Sequence, residues 1–545
     1  MRKILITALA CFPLATPSHA TAGGGTDYLV GHVAAESGDY ATADAKFAAV
    51  LAHNPGNQDV LNEDFLVQAM SGGKDTLRLA KLLPKNPVAI LVVANDAAAR
   101  GQWDQAEALF ASLPDANPFN VMRPVLEAWC EAGAGRNLAA IQQLQSAAPQ
   151  SALAGLDLLH AAFIADIAGR PGDAAAFYRS AQMQTSRPPL RFILAQTSFM
   201  ARSGQINTAR GELADVLSAV PQDRMALPRL TVHIADPLVS TPQQGIAEYY
   251  LAVGGDMDGS GSTPQSIEVS RIIMQMAVTL RPDLTMARLI SAGIDQQGTH
   301  FDQALAMLAP VAATDPLDAL VRMTRAQLLD QSGKTSQSLD VLKQIAVDYP
   351  GFTEPYELMG EIDEARGRSM DAVTAYDAAI KLRGTLAVDD WPLLYDRAVA
   401  LQDDGNWPAA ENDLQTALKL SPNQPSLLNF LGYSWADQNR NLPQARTLLE
   451  HAVQLAPRDG AILDSLGWVK FRQGEVDSAV TTLETAVQLV PEDPDVNTHL
   501  GDAYAATGRK LEARYQWQFA LTLHPSVDAA AKLRAKLAWL EHSGS

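Results

Sequence analysis

The sequence predicts an all-α protein, a linear stack of helix hairpins closed by a C-terminal helix. Three observations point there. A pattern of 34 or 35 residues repeats head to tail between Pro425 and Pro525. Within each copy the apolar residues recur at helical spacing, stop, and recur. The composition, 47% hydrophobic but only 6% aromatic and rich in alanine, suits helices packed through small side chains better than a β-sandwich.

The three copies read LLNFLGYSW then QARTLLEHAVQLAP, ILDSLGWVK then SAVTTLETAVQLVP, and VNTHLGDAY then EARYQWQFALTLHP. Leu431-Gly432, Leu466-Gly467 and Leu500-Gly501 mark one phase, and Pro457, Pro491 and Pro525 close each copy at steps of 34. In the second copy Leu463, Leu466 and Gly467 share one helix, Ala479, Leu483 and Ala486 share the next, and Gly474 falls between them. Glycine or alanine at 467, 479 and 486 lets the two helices approach closely, with leucines filling the gaps. One hairpin cannot bury its own apolar faces, whereas stacked neighbours can.

These residues resemble the tetratricopeptide repeat (TPR) family, whose 34-residue unit places a large residue, Leu-Gly, Tyr, then Ala, a large residue, Ala and Pro. The third copy supplies Leu500-Gly501, Tyr504, Ala513, Trp517, Ala520 and Pro525. The first supplies Leu428, Leu431-Gly432, Trp435, Ala445, Leu449, Ala452 and Pro457 with one extra loop residue, and the second departs at Lys470. The resemblance is fullest over Thr353–Pro525, thinner over Pro282–Pro350, and kept by phase alone before Pro221. It implies a right-handed α-solenoid of about fourteen units whose first helices line a concave, protein-binding groove. The overall pattern is similar to exported TPR proteins of the bacterial envelope.

In chain order, Arg2 and Lys3, the apolar run Ile4–Cys11 and Ser18-His19-Ala20 read as a signal peptide, residues 1–20, with a mature chain from Thr21. The run is too short to span a bilayer, and Ala8-Leu9-Ala10 is a poor match for lipoprotein cleavage at Cys11. Residues 21–221 form a degenerate array in which Ala106, Ala140, Ala174 and Ala209 keep the phase; residues 60–84 are a shortened unit. Residues 222–282 comprise an irregular linker and a unit starting at Ser240-Thr241-Pro242, whose helices near 243–253 and 264–280 flank the Gly/Ser/Asp loop 254–261. Residues 283–525 are the regular array, and 526–545 a capping helix, begun by Ser526, with a tail.

The net charge of −19 argues against nucleic-acid partners, whose phosphates would be repelled, and favours basic or apolar protein segments. Cys130, alone once the leader is removed, reads as a buried small apolar residue. No HExxH or phosphate-binding glycine loop occurs, Gly432–Ala436 is a helical mimic of a nucleophile elbow, and Asp256–Ser260 lacks the glycine and glutamate of a calcium loop. The expectation is therefore a non-enzyme without cofactor or metal, binding other proteins in the periplasm, with peripheral outer-membrane association compatible with the leader.

Family positions transferred onto the first helices name the groove. They are Glu354, Glu357, Glu361 and Glu364, on one face by spacing; Tyr395; Asn429, Tyr433 and Asp437; Asp464, Trp468, Phe471 and Arg472; and Asp495, Thr498 and Asp502. The expected groove is acidic with Tyr433, Trp468 and Phe471 as exposed aromatic anchors. The lysine-asparagine clamp of chaperone-binding TPR domains is absent. Two alternatives stay open, a glycan platform stacking sugars on Trp468, Phe471 and Tyr433, and an enzyme or enzyme subunit with a site within 222–284.

Overall fold

In the computed structural model, which describes residues 25–114, 117–184, 188–218, 224–257 and 263–542, helices close into hairpins where a glycine meets a large side chain. A Cβ on Gly467 would lie 2.6 Å from Leu483 Cγ, one on Gly501 2.5 Å from Trp517 Cδ1, and one on Gly360 2.4 Å from Tyr376 Cε1. No real Cβ tolerates such contacts, so glycine sets the close approach of the two helices. The partner stands 16 residues on in each case, and 17 between Gly432 and Leu449, where the loop holds the extra residue. Gly31 and Phe47 repeat the device at the N-terminal end, 2.9 Å apart by the same measure. Between the paired helices a left-handed residue reverses the chain. Gly474 does so at φ +83°, and in the first copy Asn439 and Asn441 take φ +56° and +48°.

Among the described residues there are 30 α-helices and no strand, and the helices stack in pairs as the sequence predicts. None of them is long and apolar enough to cross a membrane. Residues 1–24, which include the stretch expected to be a leader, and residues 258–262 of the expected Gly/Ser/Asp loop lie outside the described residues. The chain divides into two compact units at Pro350/Gly351, whereas the sequence suggested its break at the lapse after Pro221.

In the first unit, hairpins follow one another from Gly25–Glu36 with Tyr40–His53 to Leu190–Arg202 with Ile206–Ser218. The next pair, Pro242–Met257 and Pro264–Leu280, departs from the expectation of a further unit in the row. It packs across the first helices of earlier hairpins, Gln58–Ser71, Pro87–Ala99, Arg123–Gly133 and Ala154–Ile167. Gly254 and Gly255, expected in a loop, belong to the first of its helices. The outer row passes it by, since Leu317 packs with Leu213, Leu217 and Leu230.

Chemistry explains why the pair stays there. Ile246, Tyr249, Tyr250, Ile273 and Met274 are fully buried among Trp129, Cys130, Phe163 and Leu91. Gly245 lies against Trp129, where a Cβ would come 2.3 Å from the indole. The Tyr250 hydroxyl donates to Asn95 Oδ1 at 2.9 Å, and Trp129 Nε1 donates to His160 Nδ1 at 3.0 Å. Burial pushes His160 down to about 3, so the ring accepts that bond as a neutral base. Glu248, 3% exposed, holds Arg191 Nε at 2.9 Å and Arg281 at 2.8 Å. The first hairpin is tied to Phe301–Leu308 in turn, with His300 Nε2 2.6 Å from the Ser37 carbonyl and Gln303 Nε2 2.6 Å from that of Gly38. Cys130 is a free, buried thiol, raised to about 12 by burial.

The second unit holds five hairpins, from Glu354–Ala365 with Ser369–Arg383 to Pro494–Ala506 with Lys510–Thr522. Val527–His542 closes it. Ser526 Oγ accepts the Ala529 N–H at 3.2 Å, and Leu533 and Leu540 are buried against Trp517 and Ala520.

Candidate functional site

The first helices of the second unit present their inner positions side by side, and their starts are fixed by local chemistry. Asp459 Oδ1 accepts the N–H groups of Ala461 and Ile462 at 3.0 and 3.1 Å, and Asp493 Oδ1 those of Asp495 and Val496 at 2.8 and 3.1 Å. Between Trp391–Asp403, Pro425–Asp437 and the start of Gly460–Arg472 lies a cavity of about 900 Å³. Tyr395, Asn429, Phe430, Tyr433 and Trp407 line it, and its charged wall groups are Asp437 and Asp459. The Tyr395 and Phe430 rings meet edge to face with centroids 5.4 Å apart. Burial, then Asp437, Asp464 and Asp495, push the Tyr433 phenol far above its usual value, so it is a neutral donor.

Upstream runs an acidic strip. Glu361 reaches solvent at its edge, and partial desolvation of its carboxyl, together with the charges of Glu357 and Glu364, raises it. Asp396, on the helix that carries Tyr395, is pushed up to about 7 by burial and then by Glu364, Glu361 and Glu357. Glu357 also pairs with Arg383 at 3.0 Å, and Glu364 accepts the Tyr376 hydroxyl at 3.2 Å. Glu354 is buried at the helix start.

The structure thus brings Tyr395, Asn429, Tyr433 and Asp437 into one cavity and distributes the other expected residues elsewhere. Trp468 is not an exposed anchor. It is 7% exposed, because His499 from the next repeat lies over its face at 4.1 Å and Phe471 stacks beside it at 5.1 Å. Phe471 is half-buried, and Arg472 sits over the Trp468 ring at 5.6 Å. Asp464 is buried with its Oδ2 2.8 Å from His499 Nδ1. Thr498 donates to the Pro494 carbonyl at 2.7 Å, and Asp502 accepts from Trp517 Nε1 at 3.0 Å and Lys536 Nζ at 2.6 Å, a packing role against the last helix. Asp495 is exposed.

Sequence reasoning missed Phe430, Trp407, Asp459, Asp396 and His499. Asp459 had a readable signal, an acidic residue one place before the first helix of a repeat. The others needed knowledge of which neighbouring helix faces them. Ser434 of the elbow-like motif is a buried helical residue whose hydroxyl donates to Gln402 Oε1 at 3.2 Å. Among the described residues no group of three His, Cys, Asp or Glu side chains could hold a metal ion; the candidate calcium loop falls largely outside them.

Residues 395–460 match a family model described as Tetratricopeptide repeat, and residues 467–508 one described as TPR repeat. No protein of curated function matches the sequence. Among solved structures, the APC/C hetero-tetramer Cut9–Hcn1 is similar at 15% identity, with 96% of this chain and 97% of that one covered and a TM-score of 0.37. A thermophilic TPR protein of Thermus thermophilus is similar at 24% identity, covering 34% and 98%, with a TM-score of 0.30. A tetratricopeptide repeat protein of Parabacteroides merdae is similar at 14% identity, covering 47% and 97%, with a TM-score of 0.37.

Proposed function

We propose that this chain, a tetratricopeptide repeat protein, is an exported interaction scaffold that holds a basic or apolar segment of another protein in its C-terminal groove. One observation supports this most, the cavity of about 900 Å³ between repeats with Tyr395, Phe430 and Tyr433 on its walls and carboxylates as its charged groups. Aromatic walls reward burial of an apolar side chain, and Asp437 and Asp459 favour a neighbouring lysine or arginine. The first unit competes poorly for this role, because its own hairpin 242–280 covers the first helices that would otherwise face a ligand. Repeats of this kind are a family of scaffolds that is generally non-catalytic.

Export to the periplasm, a place in envelope assembly and peripheral contact with the outer membrane belong to the same proposal and rest on the leader-like residues Arg2–Ala20. Trp468 counts against the glycan reading, since its face is taken by His499.

A photo-crosslinking residue at position 429 in intact cells should capture a defined protein, and Tyr433→Ala with Asp437→Lys should abolish the capture. Equal capture by that double variant would sink the groove reading. Amino-terminal sequencing of the periplasmic protein should start at Thr21; a chain retained in the cytoplasm with Met1 in place would reject export.

A further inference from the structure

The first unit contains an internal space that its packing leaves open. The hairpin helix Pro264–Leu280 meets the helices Gly25–Glu36 and Gln58–Ser71 around a cavity of about 140 Å³. Its floor is apolar, made by Leu66, Val67, Met70, Phe119, Val269 and Ile272. An apolar cavity of about 150 Å³ stays dry and takes a benzene-sized guest.

The mouth has a different character. Three carboxylates, Glu36, Glu63 and Glu268, line it, and the one basic side chain among the lining residues is His32. His32 serves two of those carboxylates, with Nδ1 3.1 Å from Glu63 and Nε2 3.5 Å from Glu36. Glu63 also accepts the Tyr28 hydroxyl at 2.7 Å. Glu268 is half-buried. Burial raises its carboxyl, and Glu36 adds to the effect against the opposing charge of Arg271. That arginine is itself committed, paired with buried Asp295 and lying 5.6 Å from the Tyr40 ring centroid. Even with His32 protonated, the mouth keeps an excess of negative charge over a small hydrophobic chamber.

We propose that this cavity binds an organic ammonium ion, its compact apolar body among Met70, Phe119 and Ile272 and its charged nitrogen at Glu268 and Glu63. The same chemistry could arrive as a free amine or as a lysine side chain of a protein. A neutral guest of equal size gains only the apolar contacts, and inorganic ammonium gains only the charge, so neither satisfies both parts of the site.

The test is calorimetric titration of the whole protein at pH 7.5 and low salt with benzylammonium chloride. Saturable binding is expected, weakened at least tenfold for benzyl alcohol, for ammonium chloride, and for benzylammonium on Glu268→Gln. N-acetyl-lysinamide binding more tightly than benzylammonium assigns the site to a protein-borne lysine, and weaker binding assigns it to a free amine. Met70→Trp fills the chamber and should abolish binding; the neutral-ligand and Glu268→Gln comparisons stand without it if that variant fails to fold. Equal affinity for benzyl alcohol and benzylammonium, or no saturable binding of either, overturns the proposal.

Discussion

His499 Nδ1 lies 2.8 Å from Asp464 Oδ2, joining the first helices of two successive repeats through a pair buried beneath Trp468. Burial alone would lower the imidazole, but the Asp464 charge and hydrogen bond, with Asp502 and Asp495, outweigh it and hold the folded value above the ordinary one. A histidine raised in the folded state adds stability that is fully present below about pH 6.5 and is lost as pH rises through the folded value. Melting of the second unit, followed by circular dichroism, should therefore weaken on going from pH 6 to pH 9. His499→Gln should reduce that slope, leaving the part below about pH 7 that comes from the raised carboxyl of Asp396, and Asp464→Asn should cost roughly 1.5–3 kcal/mol at pH 6.

Gly467→Ala forces a Cβ to 2.6 Å from Leu483 Cγ. Overpacking of this kind costs about 1–3 kcal/mol, and urea unfolding should show it as a lower midpoint at unchanged slope. Adding Leu483→Ala should recover part of the overpacking term while opening a cavity, so the two changes should couple strongly.

Glu248→Gln leaves Arg191 and Arg281 without their shared carboxylate inside the first unit. Removing one partner of a buried charge network costs roughly 3–5 kcal/mol. In differential scanning calorimetry the transition of residues 25–350 should move down while that of residues 351–542 stays in place. A uniform shift of both would contradict the division into units.

Asp396 titrates near 7 beside the strip of Glu357, Glu361 and Glu364. Raising the pH from 6 to 8 deprotonates it and makes this face more negative. Binding of a cationic peptide should tighten several-fold over that range at low salt and lose the trend in Asp396→Asn, as read by fluorescence anisotropy. A neutral apolar peptide should show no such dependence.

Much of the fold was legible because its determinants are local. The distance from Gly501 to Trp517 or from Gly360 to Tyr376 is written in the period, and the left-handed turn at Gly474 stands between two helical patterns. Ser526 likewise marks the start of the closing helix, whose Leu533 and Leu540 recur at helical spacing on its buried face. The hairpin 242–280 was not legible, because helices that pack inside an array carry the same apolar spacing as helices that extend it. Gly245 against Trp129 and Tyr250 against Asn95 are contacts across more than a hundred residues, and no period marks them. The site failed at Trp468 for a related reason. Its position does face the inner side of its repeat, but the covering ring is supplied by His499, one repeat later. Tyr395, Asn429, Tyr433 and Asp437 instead line a space left between successive repeats, where Phe430 of the next repeat meets Tyr395 edge to face without filling it.

The bonds from His300 and Gln303 to the Ser37-Gly38 turn bear on how this gene can change. An open array gains or loses a whole repeat by unequal recombination and remains folded, since each unit touches only its neighbours. A row in which a later hairpin must meet the first one around an enclosed hairpin has no such freedom. One repeat more or fewer would carry His300 past its carbonyl and uncover Trp129 and Tyr249 to water. Length variation among descendants of this gene should therefore concentrate after Pro350, and the first part should keep its number of repeats while its residues drift.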